Sequence, residues 1–260
     1  MISLTVCGAA GRMGTRILAL AVADKEFTIV GAVEASASPA VGNTVIGTAV
    51  KITDNIDAAF AKSGVVIDFS SPTASVEHAE TAMKLGKPIV IGTTGLNPDQ
   101  LLAVKTASAK IAVVHAPNMS IGVNILFKTI REVAQKLEGY DVEIIEAHHN
   151  QKKDAPSGTA ARFAEIIADT LNRDLKADAV YGREGLVGAR KKTEIGVHAV
   201  RGGDIVGDHT IMFVGAGERV EITHRAHSRN AFASGAVYAA KWLTSKPAGL
   251  YDMQDVLGLK

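Results

Sequence analysis

Cysteine is almost missing from this 260-residue chain. Cys7 stands alone, so no intrachain disulfide can form and the fold must rest on its apolar core. A strong charge of either sign is missing too. The formal net charge is +1, which provides no long-range field toward nucleic acid or an anionic membrane surface. Neither partner is expected, and any anion must be held by locally placed cations, as in a small-molecule site. No window approaches the ~18 consecutive apolar residues of a bilayer-spanning helix. The start, Met1-Ile2-Ser3-Leu4-Thr5-Val6, has neither a basic leader nor a cleavage-like segment. A cytoplasmic protein is therefore expected. Repeats and low-complexity tracts are absent as well.

What is present is ordinary globular composition, 47% apolar and 21% charged, at a length that allows one large domain or two modest ones. Over the first half, β-rich runs at 2–6, 27–34, 65–69, 88–91 and 113–115 alternate with helical patterns at 13–23, 73–85 and 98–108. That alternation predicts a parallel sheet with helices on both faces. The second half differs. Helices are expected at 124–137 and 157–171, the latter capped near Ser157, with strands at 140–147, 196–200, 205–206, 210–213 and 219–224. Gly215-Ala216-Gly217-Glu218 reads as a hairpin turn. The alanine-rich helix at 231–243 resembles those of the first half, so the chain is expected to return there. The expected fold is α/β: a Rossmann-like dinucleotide-binding domain of residues 1–119 and 229–260, plus a smaller α+β domain of residues 120–228 with an open mixed sheet.

Gly8-Ala9-Ala10-Gly11-Arg12-Met13-Gly14 follows the first strand and opens the first helix. A pyrophosphate needs backbone N–H groups at a helix N-terminus and no side chain in its way. The usual G-x-G-x-x-G has Ala10 at its middle position here, still small. Glu34 ends the next strand 20 residues after Gly14, where an acid can accept from the adenosine ribose and repel a 2′-phosphate. NADH or NADPH is the expected cofactor, with NADH favoured; Arg12 could offset the repulsion. Later strands end in Asp68-Phe69-Ser70-Ser71-Pro72, Gly92-Thr93-Thr94-Gly95 and His115-Ala116-Pro117-Asn118-Met119-Ser120. Each alone is an ordinary turn, but three at one sheet edge suit a long cofactor. Cys7 reads as a small buried hydrophobe.

The densest polar cluster is Glu146-Ala147-His148-His149-Asn150-Gln151-Lys152-Lys153-Asp154-Ala155-Pro156-Ser157-Gly158-Thr159-Ala160. Imidazoles, ammonium groups and a Ser-Gly-Thr helix start suit a substrate with two carboxylates. Reduction of a polarised double bond also needs a proton donor, and His or Lys can serve. A metal pair at His148-His149 has no third ligand at fixed spacing and lysines beside it, so no metal is expected. The Lys152-Lys153 pair could instead be solvated loop, and His224-Arg225-Ala226-His227, despite its loose metal-like spacing, reads as strand-end surface or interface.

Together these segments resemble the dihydrodipicolinate reductase family. The match runs over nearly the whole chain and includes Gly11-Arg12-Met13-Gly14, residues 67–70, 91–95, 118–124, 201–207 and 249–253. The resemblance implies reduction of a cyclic dicarboxylate by NAD(P)H in the diaminopimelate route to lysine. It implies that His148 is the acid/base residue and Lys152 the proton donor to the ring. His149 would bind a substrate carboxylate with Ser157, Gly158 and Thr159. Gly8, Ala9, Ala10, Gly11, Arg12, Met13, Glu34, Gly92, Thr93, Thr94, Ala116, Pro117, Asn118 and Met119 would hold the cofactor. It further implies a homotetramer built through the second domain. Two departures stand out: Ala35 occupies a place often basic in the family, which weakens the case for NADPH, and Lys153 adjoins Lys152.

Overall fold

Strand β1, Ile2–Cys7, becomes wholly buried from Leu4 onward, as a strand covered on both faces must be. The computed structural model describes all residues, Met1–Lys260. After β1 come α1 (Gly14–Ala23), β2 (Phe27–Val33), β3 (Ile52–Thr53), α2 (Ile56–Ala61), β4 (Val65–Asp68), α3 (Pro72–Leu85), β5 (Ile89–Ile91), α4 (Pro98–Ser108) and β6 (Ala112–His115). Local chemistry sets several boundaries. Ser71 caps α3 and Pro72 opens it, while Gly86 ends it in the left-handed region, where a missing Cβ removes the strain. Asn97 and Gln100 form a reciprocal capping box on α4.

The middle of the chain holds α5 (Ile121–Lys136), β7 (Asp141–His148), α6 (Gly158–Leu171), α7 (Leu175–Asp178), β8 (Ala179–Tyr181), β9 (Ile195–Arg201), β10 (Asp208–Val214) and β11 (Arg219–Arg225). Then come α8 (Asn230–Leu243), β12 (Gly249–Tyr251) and α9 (Met253–Val256). The chain divides into two units, one of Met1–Ile121 with Arg229–Lys260, the other of Gly122–Ser228.

In the first unit all strand pairs are parallel, in the order β12-β6-β5-β4-β1-β2-β3. The chain leaves β1 for β2 on one side and β4 lies on the other. This reversal opens a crevice at the carboxyl ends of β1 and β4, where ligands bind in sheets of this kind. Helix α8 lays Ala233, Ala236 and Ala240 into the same core as Ile17 and Ala21 of α1, so the last part of the chain completes the unit that the first part begins.

The second unit has a mixed sheet, β11-β10-β7-β9-β8. Antiparallel β10 and β11 join through the turn where Gly215 N–H donates to Glu218 O at 3.0 Å. Val142 and Ile144 of β7 pack with Phe163 and Ile167 of α6 and Ile130 of α5. Side chains two apart on a strand share a face, so Glu146 and His148 are carried to that same covered side, and both are buried. On the other face Glu143 accepts from Arg183, Arg190 and His198. Burial pushes its carboxyl up, but these donors outweigh it and bring it to about 2.

One expected strand is not formed. Residues 205–206 lie in a loop that folds over the end of β7: His149 N–H donates to Ile205 O at 2.8 Å, Asn150 N–H to Gly203 O at 3.2 Å, and Gly202 N–H to His148 O at 2.9 Å. The Gly202-Gly203 turn, with Gly203 at φ 51°, redirects the two apolar residues before a ladder can start. The short β3, α2, α7, β8, β12 and α9 were not anticipated. No helix is long and apolar enough to cross a membrane.

Candidate active site

The glycine loop is shaped by contacts that exclude side chains. Gly8 has φ 71°, and a Cβ there would lie 2.2 Å from the Phe69 carbonyl oxygen. A Cβ on Gly14 would lie 2.0 Å from Gly8 O. The loop is thus wedged between the end of β4 and the first turn of α1. Ala9 is buried, whereas Ala10, Gly11 and Arg12 are exposed and Met13 half-buried. No acidic residue lies in the first turn of α1, so the positive end of the helix dipole is left for an anion. Glu34 sits beside the loop and accepts from Ala10 N–H at 2.9 Å and from its neighbour Ala35 N–H at 3.2 Å. A carboxylate has about four acceptor sites, so capacity remains for ribose hydroxyls.

The other two loops stand at the same carboxyl edge of the sheet. Gly92 is needed because a Cβ there would lie 2.1 Å from the Phe69 ring. Thr93 is buried and Thr94 exposed. After β6, Ala116 and Met119 are buried, Pro117 is exposed, and Asn118 accepts from Ser120 N–H at 2.9 Å. Met119 is fixed from behind: a Cβ on Gly235, inside α8, would lie 1.7 Å from Met119 O. Gly235 was missed from sequence, and its only signal was a glycine within a helical pattern. These cradles, which any larger residue would fill, fit a dinucleotide.

In the second unit Glu146 is the organising group, another residue that sequence reasoning left without a role. It is fully buried. It accepts from His148 Nδ1 at 2.6 Å, from Arg201 twice at 2.8 and 2.7 Å, and from Ser157 N–H at 3.0 Å. Burial raises its carboxyl, and these donors outweigh that and hold it below the usual 4.5. His148 is thereby fixed with Nδ1–H on the carboxylate and Nε2 beside Gly207, where a Cβ would come within 3.0 Å. Burial lowers its pKa below 6.5 despite Glu146, and Lys152 and Arg201 lower it further, so the ring is neutral near pH 7 and Nε2 is an acceptor. Two signals in the sequence could have found these residues, an acid two places before the histidine on one strand and an arginine ending β9.

The strand turns after His148, and the peptide bond Ala155–Pro156 is cis. Lys152 Nζ pairs with Asp154 at 2.9 Å, its side chain 20% exposed, while Lys153 is exposed. His149 is half-buried. Ser157 caps α6, its Oγ accepting from Ala160 N–H at 3.2 Å. Gly158 and Thr159 form the first turn, and a Cβ on Gly158 would meet nothing within 4 Å. Behind this site His209 Nε2 lies 3.1 Å from Ser157 Oγ. Burial holds His209 neutral, with its pKa lowered to about 3. His148, Lys152, Ser157, Gly158 and Thr159 thus lie around one carboxylate-anchored corner.

A nucleotide cradle at the switch point of a parallel sheet, together with a neutral imidazole set among ammonium and guanidinium groups, defines a pyridine-nucleotide-dependent oxidoreductase. The chain belongs to the dihydrodipicolinate reductase family: the family's N-terminal region matches residues 2–119 and its C-terminal region residues 122–257. It is 51% identical to the 4-hydroxy-tetrahydrodipicolinate reductase of Syntrophotalea carbinolica, with 100% of each chain covered. It is 50% identical to that of Anaeromyxobacter dehalogenans over 100% of this chain and 99% of the relative. Among solved structures, the dipicolinate-bound dihydrodipicolinate reductase from Paenisporosarcina sp. TG-14 superposes with a TM-score of 0.81 at 26% identity, covering 98% of each chain.

Proposed function

We propose that this chain reduces 4-hydroxy-tetrahydrodipicolinate to tetrahydrodipicolinate with loss of water, in the diaminopimelate route to lysine. The observation that carries this is the Glu146-anchored corner, with His148 held neutral and Lys152 beside it, in a chain about half identical to reductases of that name. The nicotinamide, when bound, supplies the hydride. The protein positions and compensates charge. His149 with Ser157, Gly158 and Thr159 binds a substrate carboxylate. Lys152 gives a proton to the ring, and neutral His148 acts as the acid/base group through Nε2. Residues 1–119 with 229–260 form the dinucleotide-binding domain, and 120–228 the substrate-binding and oligomerisation domain. In the former, Gly8 to Met13, Glu34, Gly92 to Thr94 and Ala116 to Met119 hold the cofactor.

The test is oxidation of NADH followed by its absorbance, with substrate generated freshly by condensing pyruvate with aspartate semialdehyde. Turnover is expected. A folded, NADH-binding protein that turns over no cyclic dicarboxylate defeats the proposal.

NADH is favoured over NADPH because Glu34 stands at the ribose end with Ala35 behind it, so a 2′-phosphate would meet an anion. Glu34→Gln is expected to lower the KM for NADPH roughly tenfold, the worth of about one unfavourable charge contact, while the KM for NADH stays level or rises. Equal changes for both nucleotides, or a wild type that strongly prefers NADPH, would remove Glu34 from this role.

A cytoplasmic homotetramer goes with the same reading. The face of the second sheet turned away from α5 and α6 carries the exposed Ile145 and Val200, apolar area that another copy can cover.

A further inference from the structure

A second buried carboxylate, outside the reacting corner, joins two of the nucleotide loops. Asp68, the last residue of β4, has no exposed surface, and burying a carboxylate is costly unless its oxygens are fully supplied with donors. They are. Oδ1 accepts from Ser70 Oγ at 2.6 Å and from His78 Nδ1 at 2.9 Å; Oδ2 accepts from Thr93 Oγ1 at 2.9 Å and from Ser75 Oγ. Ser75 and His78 come from α3, Ser70 from the loop after β4, and Thr93 from the loop after β5. Cys7 lies close enough to share an ion with Asp68 and His78, but the carboxylate already has its complement of four donors, and burial pushes the thiol pKa well up. The cluster is therefore an internal latch between this chain's own loops and α3.

Thr93 is the part of this latch that reaches the cofactor loops. Its single hydroxyl proton goes to Asp68, and the same oxygen accepts from Ser70 N–H at 3.0 Å. The hydroxyl is committed inward, while Thr94, next in the chain, is exposed. Phe69, between Asp68 and Ser70, supplies the carbonyl that presses on Gly8 and the ring that requires Gly92. A shift of Asp68 would therefore move three contact surfaces at once.

We propose that Asp68, clamped by His78 and Ser75, is a positioning residue for nucleotide binding that acts through Thr93 and Ser70. Thr93 serves by locking its loop and not by offering its hydroxyl to the nucleotide. This rests on the assignment of the cofactor to these loops.

The test measures NADH and NADPH dissociation constants by nucleotide fluorescence, with steady-state kinetics and a melting curve on each full-length variant. Thr93→Val takes the acceptor from the Ser70 N–H and leaves Asp68 Oδ2 with Ser75 Oγ as its one donor. It is expected to weaken both nucleotides equally, by roughly tenfold, with the KM for the dicarboxylate unchanged and kcat at saturating nucleotide retained. Thr93→Ser, which keeps the hydroxyl, should restore binding. Asp68→Asn should act in the same direction, and the double variant should be little worse than either single one, since both break one network. If Asp68→Asn does not fold, the threonine pair decides alone. Native-like nucleotide binding by Thr93→Val, or a Thr93→Ser protein as weak as Thr93→Val, overturns the inference. A wild type that binds neither nucleotide defeats the cofactor assignment itself, and is told apart because it appears before any substitution is made.

Discussion

Lys152→Ala is expected to lower kcat by about 10²–10⁴-fold, the usual worth of a positioned proton donor, with a much smaller change in KM. An interaction made only in the transition state has this effect, whereas a lost ground-state contact would act on KM. Lys153→Ala should remain within about twofold of wild type, as exposed surface substitutions commonly do. The two neighbours differ in setting. Lys152 is largely covered, its Nζ is held 2.9 Å from Asp154, and its backbone N–H is tied to His149 O at 3.1 Å. Its charge is felt at His148, whereas Lys153 is exposed. Steady-state kinetics on both variants decide the matter. A Lys152→Ala enzyme with native kcat would mean that another group protonates the ring, and Lys153→Ala losing activity instead would name it.

The second large effect concerns Glu146. Glu146→Gln keeps the shape but removes the charge that Arg201 and His148 face, and it introduces an amide where only acceptors fit. Breaking a buried pair from one side costs about 3 kcal/mol, which at this chain length lowers Tm by roughly 6–12 °C. The pH dependence has a definite sign. The folded carboxyl lies below its ordinary 4.5, so its contribution is complete above that value and is lost as pH falls through the lowered one. The Tm gap between wild type and variant should therefore be widest at neutral pH and narrow below about 4.5. Activity should respond separately. Without Glu146, His148 loses the largest influence raising its pKa, and its ring is no longer oriented with Nε2 outward. The acid limb of kcat should shift to lower pH and its plateau fall. A variant with unchanged Tm and an unmoved profile would remove Glu146 from both roles.

The elements that sequence showed well are those with strong periodicity or chemical punctuation. Helix α4 was legible to the residue because Asn97, Pro98 and Gln100 write its start. Strand β7 was legible from its alternation, and the cap of α6 from Ser157. Two- and three-residue strands such as β3 and β12 are set by the neighbour they pair with, Ala32–Val33 and Ala112–Val114, so short windows of sequence do not reveal them. Ile205-Val206 shows the converse, an apolar pair taken into a loop by backbone bonds to residues more than fifty positions earlier. For the site, titratable residues in a dense run stood out, and the family resemblance gave them roles. Their supports did not stand out. Arg201 reaches Glu146 across 55 positions and Thr93 reaches Asp68 across 25. A contact between distant residues becomes visible only when the sheet brings them together.

The placement of α8 has a consequence during synthesis. The core face of α1 and its sheet needs Ala233, Ala236 and Ala240, but the ribosome makes them after all of Gly122–Ser228. At ~5–20 residues per second, the nascent first unit waits roughly 6 to 25 s with that face open, while the intervening unit has its whole sequence and can fold ahead of it. Chains truncated at residue 228 and released should lose their first 121 residues to brief proteolysis and keep the rest, whereas chains that include α8 and α9 should resist throughout. Equal resistance of the first segment at both lengths would mean that it closes without its last helix.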